Sequence, residues 1–407
     1  MLMELIKVYI APCGLGLGHA SRSLRIGRRI VDLAEKLDVK PVILFSTYGS
    51  AVSLVARENY PVCQVPSINY FQKPDGTFDF KQTMSRGAKH LKTLWKQVAL
   101  ELKFISRFDP DVVISDSRLS TVIASKILGK PSLLVTNQIA LIIPRTRPMT
   151  PSIRVVKTIA ERMISQVLAS MWRFSSRILI PDLEEKFAIC RRHVESIEFI
   201  EDKVEFIGPI IGVRPEELPS RAELRRSLKL NVGAPIVFAS ISGVGFEKHF
   251  LAKVLVKAFR ILCDEGYQVV LTLSNPTGAP VFFDDGRFRV LSWVDDYHAY
   301  LKACDVNINH AGHTSILEGI CFGVPMLLIP ARGHTERISN AITSQALGVA
   351  RVLMYDELTV SSVLESIEYL LTCGKVKRSV KLLQELALKM DGAKRAAELA
   401  VNLAWGK

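Results

Sequence analysis

No C-x-x-C pair occurs in the chain. The seven cysteines, at 13, 63, 190, 263, 304, 321 and 373, are dispersed. That excludes a disulfide scaffold or a cysteine-rich zinc module and leaves reduced, core-filling thiols of a cytosolic protein. No apolar run is long enough to span a bilayer, since "PSLLVTNQIALIIP" is broken by Thr136, Asn137 and Gln138. The opening "MLMELIKVYIAPCG" carries Glu4 and Lys7 and runs straight into a glycine loop, so it reads as a buried first strand rather than a secretion signal. Low-complexity tracts and short-period repeats are missing too. Acidic residues are in deficit: 40 Asp and Glu face 53 Lys and Arg, a net charge of +13. The excess calls for an anionic partner such as nucleotide phosphate, nucleic acid or an acidic membrane surface. Basic and aromatic residues do not interleave as in a nucleic-acid module, so no nucleic acid is expected.

What is there is a folded protein of 407 residues, long enough for two domains. Apolar runs ("IKVYIAP", "KPVILFST", "DVVISD", "PSLLVTN") alternate with amphipathic stretches, the first predicted helical over 19–37. Val, Ile and Leu on both faces of such runs predict a parallel sheet covered on both sides. "GPIIGVRPEELPSR" interrupts the alternation, which then restarts with "PIVFASIS", a helix near 247–265, "YQVVLTLS", "FRVLSW", "DVNINH", a helix from 315 and "VPMLLIP". The expectation is an α/β protein of two doubly wound, Rossmann-like domains facing a central cleft. Residues 1–208 would bind acceptor, 209–221 link, and 222–390 bind a nucleotide sugar. Residues 391–407 would form a C-terminal helix packing back on the first domain.

In "NHAGHTSILEG" a strand ends at His310, Gly312 permits a sharp turn, and a helix would begin at Thr314 or Ser315. Unsatisfied N–H groups and the positive end of the dipole suit a phosphate there. Thr314, Ser315 and His310 add donors, and Glu318 sits one turn in, placed for sugar hydroxyls. A plainer alternative is an S-x-x-E capping box made by Ser315 and Glu318. His310 and His313 lack a third ligand nearby, so no metal is expected.

The wider stretch from "LSWVDD" to "MLLIP" resembles the nucleotide-binding half of GT-B glycosyltransferases, above all the bacterial peptidoglycan N-acetylglucosaminyltransferases and their archaeal relatives. By that resemblance Trp293 and Val294 receive uracil. His310, Gly312, His313, Thr314 and Ser315 form the diphosphate loop, and Glu318 binds the ribose hydroxyls. Gly243, Val244 and Gly245 of "SISGVGFEKH" face the phosphates, and no cofactor is implied beyond the UDP-sugar donor. In "ARGHTERISNA" the family's acidic residue is Glu336, but Arg337 replaces the usual Gln. A surface arginine is one reading; a contact to a donor carboxylate or phosphate, as on a uronic acid, is the other.

"PCGLGLGHASR" is G-x-G-x-G rather than a dinucleotide fingerprint, and "PVILFST" ends in no ribose-binding acid. With Gly16 and Gly18, it is similar to the acceptor-side glycine loop of the same transferases. His19 would cap the following helix, with Arg22 one turn on. Asp116 ends a strand and either caps the next helix or, as the resemblance implies, orients His19 to deprotonate the acceptor hydroxyl with inversion at the sugar. Asn137 and Gln138 would line the acceptor side.

Between 153 and 173, Ile153, Val156, Ile159, Met163, Val167 and Met171 recur at threes and fours, closed by Trp172, amid basic residues. This predicts a helix that either faces a core or lies on anionic membrane. The resemblance implies a lipid or lipid-linked acceptor at the cytoplasmic membrane face. Two other functions stand as alternatives: a UDP-N-acetylglucosamine 2-epimerase, which shares the two-domain fold and the donor, and a non-enzymatic anion-binding protein, which the charge would support.

Overall fold

A computed structural model describes residues 4–15, 17–68, 87–140, 142, 149–194, 198–241, 246–274 and 281–406. These form two compact units, the first holding the described residues up to Gly212 together with Met390 onward, the second Val213–Lys389.

The first unit is a seven-stranded sheet of Glu4–Pro12 (β1), Val39–Thr47 (β2), Val62–Gln64 (β3), Val112–Asp116 (β4), Ser132–Val135 (β5), Arg177–Ile180 (β6) and Val204–Phe206 (β7). Every pairing is parallel, in the order β3-β2-β1-β4-β5-β6-β7. Strand alternation divides its apolar residues between two cores. Val8, Ile10 and Ile114 pack with the helix Leu17–Lys36 and the last helix, Gly392–Ala404, while Tyr9, Ala11 and Val113 pack with Ile105 and Ala124 on the other face. Runs buried on both sides are why β1 and β4 read as unbroken hydrophobic stretches.

Two helices follow one another near the C-terminus, Gly374–Leu388 and Gly392–Ala404, broken where Asp391 caps the second through the Lys394 N–H at 3.0 Å. A Cβ on Gly392 would lie 2.2 Å from the Gly208 carbonyl oxygen, so only glycine allows this approach of the returning helix.

The second unit has Ile236–Ser240 (β8), Gln268–Thr272 (β9), Val281–Asp284 (β10), Phe288–Leu291 (β11), Val306–Asn309 (β12), Met326–Leu328 (β13) and Ala350–Val352 (β14). Their order is β10-β11-β9-β8-β12-β13-β14, parallel except for the exposed edge strand β10. Both sheets cross over beside their first strand, β1 or β8, where the chain reverses direction through the sheet. Strand C-terminal ends flanking such a switch point are where α/β sheets place their ligands.

Candidate functional sites in the two units

In the first unit the switch lies between β1 and β4, in register at Pro12 and Asp116. The glycine loop after β1 leads into the helix Leu17–Lys36, whose third and sixth residues are His19 and Arg22. Both turn onto Asp116. His19 Nδ1 lies 2.7 Å from Asp116 Oδ1; Arg22 Nε donates to Oδ2 and Nη2 to Oδ1, each at 2.5 Å. Ser23 adds a 3.3 Å hydroxyl contact to Oδ2, and Arg22 Nη1 donates to Asn137 Oδ1 at 3.2 Å. Arg22 and Asp116 are buried, whereas the His19 side chain keeps a quarter of its exposure. Burial pushes the Asp116 carboxyl up, but the charges and hydrogen bonds of Arg22 and His19 outweigh it and hold the group at about 2.

Two sequence expectations change here. His19 lies inside the first helical turn rather than capping it. Asp116 does not cap the next helix, Leu119–Ile127, whose N-cap is Arg118 without a side-chain bond. Asn137 joins the cluster; Gln138 is engaged through its backbone by the Thr136 hydroxyl. Gly18 is an exposed residue of the first turn, and Gly16 lies outside the described residues. Arg22 Nη2 is also 3.0 Å from His19 Nδ1. An arginine nitrogen can only donate, so Asp116 as acceptor and Arg22 as donor favour opposite tautomers of the ring. With the proton on Nδ1 facing Asp116, Nε2 carries a lone pair.

In the second unit β12 ends at Asn309, and the turn is made by Ala311 (φ 58°) rather than Gly312, whose φ is −66°. Asn309 Oδ1 stabilises the left-handed residue by accepting the Ala311 N–H at 2.9 Å. The helix starts at His313, one or two residues before the expected point, with Gly312 as N-cap. The S-x-x-E box does not form: Glu318 meets His298 Nε2 at 2.9 Å through Oε1. His310 Nδ1 lies 2.9 Å from the Ile329 carbonyl, which can only accept, so Nδ1 bears the proton. Thr314 and Ser315 are half-buried in the first turn, His313 is buried at its start, and a helix leaves its first N–H groups without intrahelical acceptors. Trp293 is half-buried and Val294 buried in the loop after β11. Glu336 and Arg337, second and third residues of the helix Thr335–Ala346, are half-buried, so Arg337 is not the exposed arginine of the plainer reading. Gly243, Val244 and Gly245 lie outside the described residues.

The helix Pro151–Trp172 reverses the core-facing alternative. Ile153, Val156, Ile159, Met163 and Val167 are all exposed, at 49–65%, while Ser165, Ala169 and Trp172 face inward. Trp172 therefore packs in the core and does not close the exposed stripe. Sequence reasoning missed a second surface of this kind. On the helix Gly87–Phe108, Leu91 and Trp95 are more than half exposed among the exposed Lys89, Lys92 and Lys96. The helix Leu119–Ile127 packs against both of these helices. The signal was available in "AKHLKTLWKQ", where Leu91 and Trp95 are four apart between lysines.

Residues 253–396 match the model of the Glycosyltransferase family 28 C-terminal domain. Among solved structures, the glycosyltransferase of kitacinnamycin superposes with a TM-score of 0.69 at 18% identity, covering 98% of each chain. The calicheamicin glycosyltransferase gives 0.66 at 18% identity, covering 100% of this chain and 99% of its own. The chain is a glycosyltransferase of the GT-B fold class. An uncharacterised glycosyltransferase of Methanosarcina mazei is 28% identical over 97% of both chains. The UDP-N-acetylglucosamine–N-acetylmuramyl-(pentapeptide) pyrophosphoryl-undecaprenol N-acetylglucosamine transferase of Thermotoga maritima is 24% identical over 92% of this chain and 95% of its own. Within that class the protein is thus similar to the peptidoglycan N-acetylglucosaminyltransferases along nearly its whole length.

Proposed function

We propose that the protein is an inverting transferase that moves a sugar, N-acetylglucosamine or another hexose, from a UDP-sugar to a hydroxyl of a lipid or lipid-linked acceptor. The observation that carries this reading is the turn and helix start at 310–318, where a strained Ala311 aims a first helical turn with Thr314 and Ser315, and a buried carboxylate waits one turn further in. Diphosphate would sit on the turn, ribose on Glu318 and uracil at Trp293 and Val294. The leaving charge would be held by N–H groups, hydroxyls and imidazole rather than by a resident cation. His19, with Nδ1 turned to Asp116, would take the acceptor proton at Nε2 as the hydroxyl attacks the anomeric carbon and UDP departs from the opposite face.

The exposed apolar faces at 151–172 and 87–96 favour an acceptor presented on a membrane. Each carries cations that suit anionic headgroups beside apolar side chains that suit the acyl boundary. Among the described residues no helix is long and apolar enough to cross a bilayer, so the contact would be peripheral, at the cytoplasmic face.

The test is a thermal-shift panel of UDP, GDP, dTDP and ADP in EDTA, with Glu318→Ala alongside. Selective stabilisation by UDP that the variant loses is the expected result. Indifference to every nucleotide would refute the donor assignment.

A further inference from the structure

Glu318 has an unusual environment for a carboxylate. Its side chain is 10% exposed, and its one hydrogen-bond partner among the described residues is His298, whose Nε2 stands 2.9 Å from Oε1. A carboxylate accepts at two oxygens and about four lone pairs. A single imidazole donor leaves Oε2 open to further donors, and the side chain keeps a tenth of its exposure, so a ligand's hydroxyls can reach it.

His298 itself is tightly held. It is the second residue of the helix Tyr297–Ala303, started by Asp296, whose side chain accepts the Ala299 N–H at 3.2 Å. Its ring stacks on Phe322 with centroids 5.7 Å apart and planes at 27°, and meets Tyr297 edge-on at 5.6 Å. An imidazole fixed by two aromatic neighbours has little rotamer freedom, so its N–H fixes the carboxylate in turn. Twenty residues separate the pair in sequence, and they meet only because the helices after β11 and β12 both begin at the C-terminal edge of the sheet.

We infer that His298 is a positioning residue for nucleotide recognition: it clamps Oε1 of Glu318 so that Oε2 is presented, in one orientation, to the vicinal hydroxyls of the donor's ribose. The inference rests on the donor reading above and adds a residue to it. The consequence is selectivity for a ribonucleotide over its 2′-deoxy counterpart that depends on His298 as much as on Glu318, although His298 does not touch the nucleotide.

Titration calorimetry with UDP and 2′-deoxy-UDP tests this on the full chain, with Glu318→Ala, His298→Ala and His298→Gln. The wild type should prefer UDP by about tenfold, the value of one well-made hydrogen bond. His298→Ala should bring the ratio to about one, as Glu318→Ala does, while binding of UDP itself persists. His298→Gln, whose amide can donate from a similar position, should restore most of the preference. A preference kept in His298→Ala but lost in Glu318→Ala would overturn the role of His298 alone. UDP binding that is absent in the wild type, or untouched by Glu318→Ala, would overturn the donor reading and this inference with it.

Discussion

Arg22 grips Asp116 with two guanidinium nitrogens, each 2.5 Å from a different carboxylate oxygen, at a site from which both side chains are almost wholly withdrawn from water. The pair keeps the carboxylate ionised at neutral pH and leaves His19 as the solvent-reaching member of the cluster. Arg22 is thus committed to Asp116 and Asn137, and in the proposed mechanism it would help fix the carboxylate that orients His19. Asp116→Asn should lower kcat by roughly two to four orders of magnitude, the range for a general base deprived of its orienting group, while UDP affinity stays unchanged. Steady-state kinetics beside UDP titration separates the two effects.

Acid stability follows from the same pair. A carboxyl held at about 2 in the fold against an ordinary 3.8 stabilises the native state fully above the ordinary value. That contribution is lost as pH falls through the folded one. Urea midpoints measured from pH 5 down to pH 2 should drop across this window in the wild type and drop less in Asp116→Asn. The variant should also be weaker at neutral pH, by about 3 kcal/mol or more, because Arg22 is left buried without its counter-ion.

His310 predicts a proton uptake. Its Nδ1–H is committed to the Ile329 carbonyl, so the ring can donate to a phosphate only by gaining a second proton at Nε2. Calorimetry of UDP binding in two buffers of different ionisation enthalpy should report net uptake at pH 7.5, and His310→Gln should abolish it. Equal enthalpies in both buffers for the wild type would place His310 outside the phosphate contacts.

By the resemblance drawn from the sequence Arg337 takes the place of a glutamine, and it is half-buried at the start of its helix. If it reads an anionic donor sugar, Arg337→Gln should reduce kcat/KM for UDP-glucuronate relative to UDP-N-acetylglucosamine by about tenfold or more, the value of one charge-assisted bond. A donor preference unmoved by the change would assign Arg337 another role.

The stripe of Ile153, Val156 and Ile159 is exposed, so changing all three to Ser should leave the melting temperature within about two degrees of the wild type. Co-sedimentation with phosphatidylglycerol vesicles should be lost. Replacing Arg154, Lys157 and Arg162 by Glu should weaken it in a salt-dependent manner. Binding that survives both sets would remove this helix as the membrane contact, and a wild type that does not co-sediment would remove the membrane from the function.

Much of this architecture was legible because buried parallel strands announce themselves: "VVISD" has no solvent-facing position to interrupt it, and its terminal Asp116 falls at a sheet end. Strands of three residues, such as Val62–Gln64 and Val204–Phe206, carry too little pattern to read, and the exposed edge strand Val281–Asp284 has no alternation at all. The candidate sites were legible by residue but not by partnership. Spacing could suggest His19 with Arg22, three apart on one helix, yet nothing in it joins Glu318 to His298 instead of Ser315. The stripe at 151–172 was visible as a stripe, but its direction was not, since an apolar helix face looks the same whether a core or a lipid covers it. Trp172, counted with the stripe, falls on the opposite side because the helix needed one large anchor facing inward.

The approach of Gly392 to the Gly208 carbonyl joins segments made nearly half a chain apart. Ala393, Ala396, Ala397, Ala400 and Val401 complete a core whose other buried members all lie at or before Ile210. On the ribosome, the unit begun first is therefore finished last: its sheet must wait, with one apolar face only partly covered, while the whole second unit is synthesised and free to fold. Chains released before residue 390 would carry a complete second unit and an open first one, a natural substrate for chaperones.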